Sequence, residues 1–182
     1  IVKSRNNINS WNCYHASLGN TQGIDLNSSS AASTSSNYWN NTSPTSSVFS
    51  VALYTNNSTY TYVAYCFAAI AGYSAFGSYT GNGAADGPFV YTGFRPRWVL
   101  FKANLASTEN WYILDTSRNV YNVANLGLFP NLSNAEGGTG INADILSNGF
   151  KVRDSATPLN SSGTTYIYAA FAENPFKYAL AR

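Results

Sequence analysis

Charge is what this 182-residue sequence has least of: ten Lys and Arg against eight Asp and Glu, together 10% of the chain. A formal charge of +2 so thinly spread leaves no basic stripe for a phosphate backbone, which argues against a nucleic-acid partner. Histidine occurs once, at His15, so any catalytic triad would have to be built on it. Cysteine occurs twice, at Cys13 and Cys66, both within apolar strand-like runs. They read as small buried hydrophobes rather than as a disulfide scaffold. No apolar run approaches the length needed to span a bilayer as a helix; the longest, "TYVAYCFAAIAGY", is too short and too rich in β-branched and aromatic residues.

What the chain does have is apolar and aromatic content, 45% and 15% of it, set among Asn, Ser and Thr. It also repeats itself. "TYVAYCFA" (Thr61 to Ala68) returns as "TYIYAAFA" (Thr165 to Ala172), "VFSV" as "GFKV", and Trp11 falls opposite Trp111. Self-similarity at a period of about a hundred residues describes two related units. The stretch Phe76 to Trp98 stands before the second copy and has no counterpart before the first. The first unit is therefore expected to be truncated at its N-terminus, as in a fragment of a longer polypeptide.

Short runs of Val, Ile, Tyr, Phe and Trp bounded by Gly, Asn, Ser and Pro read as strands. They fall near 11–15, 24–26, 48–51, 61–68, 89–92, 98–102, 111–115, 126–129, 149–153 and 165–172. The expected fold is all-β: two tandem antiparallel β-sandwich units of the jelly-roll or lectin-like kind, 1–75 and 76–182. Both alternating sets of Thr61 to Ala68 are apolar, which predicts a central strand covered on both faces, and Thr165 to Ala172 is expected to match it. Gly81, Gly83, Gly87 and Pro96 between Ser78 and Trp98 predict turns, since neither a following helix nor a P-loop lysine accompanies "GNG".

Candidate chemistry is sparse. His15 has Asp115 as its counterpart in the second unit and no G-x-S-x-G elbow accompanies it, so no catalytic residue is assigned. The eight carboxylates are scattered singly and suggest no glycosidase pair. "GINAD" (Gly140 to Asp144) is the best local calcium candidate, set against an ordinary polar loop; no metal and no cofactor are expected. Matches to N-x-[ST] arise from composition alone. One binding candidate remains, the loop that places Tyr38 and Trp39 beside Asn40 and Asn41. Aromatic rings and amides suit stacking on a sugar face and bonding its hydroxyls, with Trp39 as a cap on the core the competing reading.

"FGSYTGNGAADGPFVYTGFRPRWVLFK", "ILSNGFKVR", "TYIYAAFAENPFKYALAR" and, in the first unit, "YHASLGN" and "WNNTSPTSSVFSVA" closely resemble a tandem-repeat protein of tailed bacteriophages, especially marine ones. Members are described as tail-fibre-like or virion structural proteins. The resemblance spans essentially the whole chain and implies a non-enzymatic structural component of a virion appendage, a fibre or decoration protein on the particle surface. It implies Arg182 at or near a natural C-terminus and further repeats before Ile1. Implied partners are other virion proteins, copies of the chain itself as a homotrimer, and a host-surface polysaccharide read by the polar and aromatic loops. The alternatives are a secreted or prophage-encoded carbohydrate-binding module and, behind it, a glycan-degrading spike.

Overall fold

The computed structural model describes residues 1–104, 109–138 and 140–175. Along the chain run β1 (Val2–Ser4), β2 (Asn12–Cys13), β3 (Gln22–Asp25), β4 (Ser33–Thr34), a single helical turn α1 (Ser36–Trp39) and β5 (Tyr62–Ala64). There follow β6 (Ser74–Thr80), β7 (Phe89–Tyr91), β8 (Pro96–Ala103), β9 (Trp111–Asp115), β10 (Ala143–Leu146), β11 (Gly149–Val152), the turn α2 (Thr157–Asn160) and β12 (Thr165–Ala172). The fold is all-β, as expected. Its strands form three antiparallel sheets in the orders β4-β3-β2-β1-β5, β6-β12-β8-β9 and β10-β11-β7. The first sheet is drawn wholly from residues before 65 and the other two wholly from residues after 73.

The sheets stack in series, and alternation along β12 explains how. Tyr166, Tyr168 and Ala170 face one way, into the main core with Phe101, Phe150, Val152 and Leu159 between the four- and three-stranded sheets. There the ring of Phe150 stands edge-on to Phe101 and Tyr168, with centroids 5.2 and 5.4 Å apart, and Tyr79 lies flat on Tyr166 at 5.0 Å. Ile167 faces the other way and joins Trp111, Cys13 and Ile24 in a second cluster, which seats the five-stranded sheet on the outer face of the four-stranded one. A strand buried on both faces needs an apolar residue at every position, which is how "TYIYAAFA" is written.

Lys102 is the exception on that shared face. Fully buried, it donates through Nζ to the carbonyls of Glu109 (2.8 Å), Ala103 (3.1 Å) and Ser29 (3.1 Å). Burial pulls its ammonium down to about 8, partly offset by the carboxylate of Glu109. Because Ser29 belongs to the first half of the chain, the bond ties two layers together.

The first sheet repeats the pairings of the second, residue for residue. Val2, Lys3 and Ser4 stand to Ala64, Val63 and Tyr62 as Phe101, Lys102 and Ala103 stand to Tyr168, Ile167 and Tyr166. Small devices recur with them. The N–H of Trp11 donates to Asn27 Oδ1 at 2.8 Å, and that of Trp111 to Asn131 Oδ1 at 3.0 Å. The Tyr62 hydroxyl accepts from the N–H of Asn57 at 3.0 Å, and that of Tyr166 from Ser161 at 2.8 Å.

One expectation fails at β5. Thr61 to Ala68 was expected to form a central strand, yet only Tyr62–Ala64 pairs, and only with β1, while β12 lies between β6 and β8. Beyond it Tyr65 is 46% and Phe67 58% exposed, and Cys66 is exposed although Cys13 is buried. The cause is a missing neighbour: no strand lies beside β5 as β6 lies beside β12. Residues 48–51 and 126–129 also form no strands, although Leu128 bridges to Ile113. Part of "GINAD" is instead the start of β10, with Asp144 paired to Arg153 at 3.2 Å.

Two outcomes follow for chemical denaturation. Phe150→Ala, which empties a fully buried position, should cost about 3–5 kcal/mol; Phe49→Ala, at the matching but 38% exposed position, should cost under about 1 kcal/mol. Lys102→Met, which leaves three carbonyls without their donor, should cost about 1–3 kcal/mol by the same measurement.

Candidate functional site

The loop that carries Tyr38, Trp39, Asn40 and Asn41 folds around α1. Ser35 caps the turn, its Oγ accepting from the N–H of Asn37 at 3.2 Å. Asn40 and Asn41 end it in the left-handed region, at φ 51° and 49°, which asparagine tolerates better than most residues. That geometry turns both rings inward. Tyr38 and Trp39 are buried and pack with Val2, and Tyr14 stands edge-on to Trp39 at 5.8 Å. Trp39 Nε1 donates to the carbonyl of Gln22 at 2.9 Å, and the Tyr38 hydroxyl bonds Ser33 Oγ at 2.7 Å. Tyr38 lies so close to β3 that a Cβ on Gly23 would sit 2.4 Å from its ring. Of the four residues, only Asn40 and Asn41 are exposed; Tyr38 offers its ring to the core, and Trp39 also borders a cavity.

That cavity, about 570 Å³, is the largest feature beside the first sheet. Its wall runs along β5 and beyond it, through Ala64, Cys66 and Phe67, and is completed by Val48, Phe49 and Phe171. The same segments bear a row of exposed apolar side chains: Val48, Phe49, Val51, Leu53, Tyr54, Tyr65 and Phe67. A contiguous apolar surface of this kind marks an interaction site more often than an idle one. Its chemistry is uniform, for no residue from Leu26 to Ala85 is charged.

Titratable groups near the cavity are held in structural bonds. His15 Nε2–H donates to the carbonyl of Tyr168 at 3.0 Å while Nδ1 accepts from the N–H of Ser17 at 3.2 Å, so the ring is neutral with one tautomer fixed. Burial lowers its pKa, and the Tyr168 carbonyl opposes that only partly. The Cys13 thiol, buried among apolar groups, is pushed up to about 12 and is inert as a nucleophile.

The carboxylates are spoken for in the same way. Glu173 pairs with Arg95 (2.6 Å) and Arg97 (3.6 Å), Asp86 with Lys151 (2.8 Å), Asp115 with Arg118, and Glu136 with Arg118 (3.2 Å). Asp154 accepts from Asn142 and Glu109 from the Tyr112 hydroxyl. Asp25 is raised by burial, and its Oδ1 has no hydrogen-bond partner. Among the described residues no group of three or more His, Cys, Asp or Glu could hold a metal ion, and no helix is long and apolar enough to cross a membrane.

Fold and surface together define a charge-poor stack of β-sheets with one uncovered apolar edge. The chain belongs to the family described as "Domain of unknown function (DUF7483)", whose model matches residues 1–175. No curated protein and no solved structure matches it.

The uncovered edge was missed by motif-based reading because it contains no motif. Its sequence signal is the charge-free run from Leu26 to Ala85, together with the match of "VFSV" to a core strand that the first half does not build.

His15 supplies a pH test. Its folded pKa lies below the unfolded value of about 6.5, so as pH falls the unfolded chain takes up the proton first. Its contribution to stability is full above about pH 6.5, declines as pH drops below that, and flattens once the folded pKa is passed. Midpoints of urea unfolding measured from pH 7.5 to 5 should show that decline in the wild type. A His15→Gln variant should lack it.

Proposed function

We propose that the chain is a structural component of a bacteriophage virion appendage, a fibre or decoration protein, which also contributes to recognition of host-surface glycans. The observation that carries this reading is the serial stacking of sheets, with both faces of β12 covered by separate layers of the same chain. Such a stack serves as a spacer, because its layers meet through apolar faces and desolvate few ions. The family resemblance points the same way, and so does the engagement of the carboxylates in pairs and hydrogen bonds, which favours a non-enzymatic role. Copies of the chain assemble as a homotrimer in this reading, with other virion proteins as neighbours.

Glycan contacts then fall to the polar stretch that starts at Asn40 rather than to stacking on Tyr38 and Trp39, whose rings are committed to the core. Hydroxyls and amides from Asn40 to Ser47 are exposed and can bond sugar hydroxyls, and repetition around an assembly axis would raise weak affinity by avidity.

Antibodies against the chain, applied to gradient-purified particles, should place gold label at a fixed position on an appendage. Label recovered only in the particle-free supernatant would favour the secreted carbohydrate-binding module instead. An Asn40→Gly/Asn41→Gly variant keeps the left-handed backbone and removes both amides; adsorption to host cells should fall about tenfold, and unchanged adsorption would remove this loop from the binding surface.

A further inference from the structure

We infer that the free edge of β5 is a strand-addition site, which takes an extended, uncharged segment of another polypeptide running antiparallel to it. The segment sits beside β5 as β6 sits beside β12. This goes beyond the functional reading above and does not depend on it.

The geometry of the edge comes first. Tyr65 N–H donates to the Ile1 carbonyl and Arg5 N–H to the Thr61 carbonyl, so the odd-numbered residues of this segment turn their backbone groups toward β1. In an antiparallel ladder the alternate residues turn the other way, which leaves the N–H and C=O groups of Tyr62 and Ala64 facing outward. Their counterparts Tyr166 and Tyr168 stand opposite Tyr79 and Gly77 of β6. One half of the molecule therefore displays the interaction that the other half lacks.

Nothing guards this edge. Natural edge strands are blunted by charges, proline or bulges against unwanted pairing. Here no charged residue occurs between Asp25 and Asp86, and no proline between Pro44 and Pro88. Absence of ionic groups also selects the occupant, since a charged side chain seated here would lose water and find no partner.

The cavity specifies the occupant further. Ala64 stands where the second half has Tyr168, and it opens onto the space of about 570 Å³ that continues to Phe49, the counterpart of the buried Phe150. Opposite Tyr168, β6 must carry glycine, because a Cβ on Gly77 would meet the Tyr168 hydroxyl at 2.8 Å. With Ala64 in that place the restriction is lifted. The incoming strand therefore carries a large apolar side chain opposite Ala64 and an aromatic ring opposite Tyr62, as Tyr79 stacks on Tyr166.

The test uses labelled peptides of Ser74 to Gly81, "SAFGSYTG", titrated with the whole chain and read by fluorescence anisotropy. A Gly77→Leu peptide should bind about tenfold more tightly than the parent sequence, the gain for burying a leucine side chain, and a Gly77→Lys peptide should not bind. Ala64→Tyr in the protein restores the crowded surface and should reverse the preference, so that the parent peptide binds better. Ala64→Pro removes one outward N–H that no internal strand uses, and should abolish binding of both peptides without moving the melting temperature. Absence of binding by the Gly77→Leu peptide, or equal binding by the wild type and Ala64→Pro proteins, overturns the proposal. Concentration-dependent self-association that Ala64→Pro abolishes would assign the edge to a second copy of this chain and overturn it as well.

Discussion

Everything in this structure hangs on β12, the one strand that must satisfy two cores at once. Tyr166, Tyr168 and Ala170 complete the main core on one side while Ile167 supports the neighbouring sheet on the other, so no position along the strand can be given to water. The requirement spreads outward. The five-stranded sheet can seat on this face only if its own contacts are apolar, which Cys13 and Ile24 provide. Where a charge does enter the shared face, at Lys102, backbone carbonyls from both halves surround it, and its lowered pKa measures the lost hydration.

Two copies of one pattern thus reach different ends. β1, β2 and β5 keep the registers of β8, β9 and β12, down to the asparagine that receives the Trp11 and Trp111 amides. What differs is company. β12 has β6 at its flank and β11 with β7 across the core, whereas β5 has β1 and solvent. Side chains of the same type are then buried in one half and exposed in the other, as Phe150 and Phe49 are. Burial here is a property of the neighbours supplied.

That distinction explains what could be read beforehand. The all-β class and most strands of the second half were legible because alternation and turn residues are local signals, and Thr165 to Ala172 carries both apolar sets required of a central strand. Thr61 to Ala68 carries them too, and the sequence pattern cannot tell a strand that is covered from one equipped to be covered. The candidate loop was legible only in part. Tyr38 and Trp39 looked available for a sugar because they stand among polar residues, but Gly23, thirteen or more residues away in sequence, is the reason a ring can lie flat on β3. No local pattern encodes that contact. "GINAD" misled in the opposite direction, since Asp144 finds its charge partner in Arg153 across a hairpin rather than in a cation.

The uneven completion of the halves also bears on how the molecule persists in water. An exposed apolar row beside an unpaired strand is an aggregation hazard, and a chain with 10% charged residues has little electrostatic repulsion to oppose it. The ionic groups it has lie almost wholly outside that region: Asp86, Lys151 and Arg153 cluster on the second half, as do Arg95, Arg97 and Glu173. Solubility is thereby concentrated on one side of the stack and adhesion on the other. An asymmetry of this kind is unstable for an isolated molecule and natural for one whose adhesive side meets a protein partner, because the same lack of charge that fails to repel a stray neighbour exacts no desolvation from the proper one.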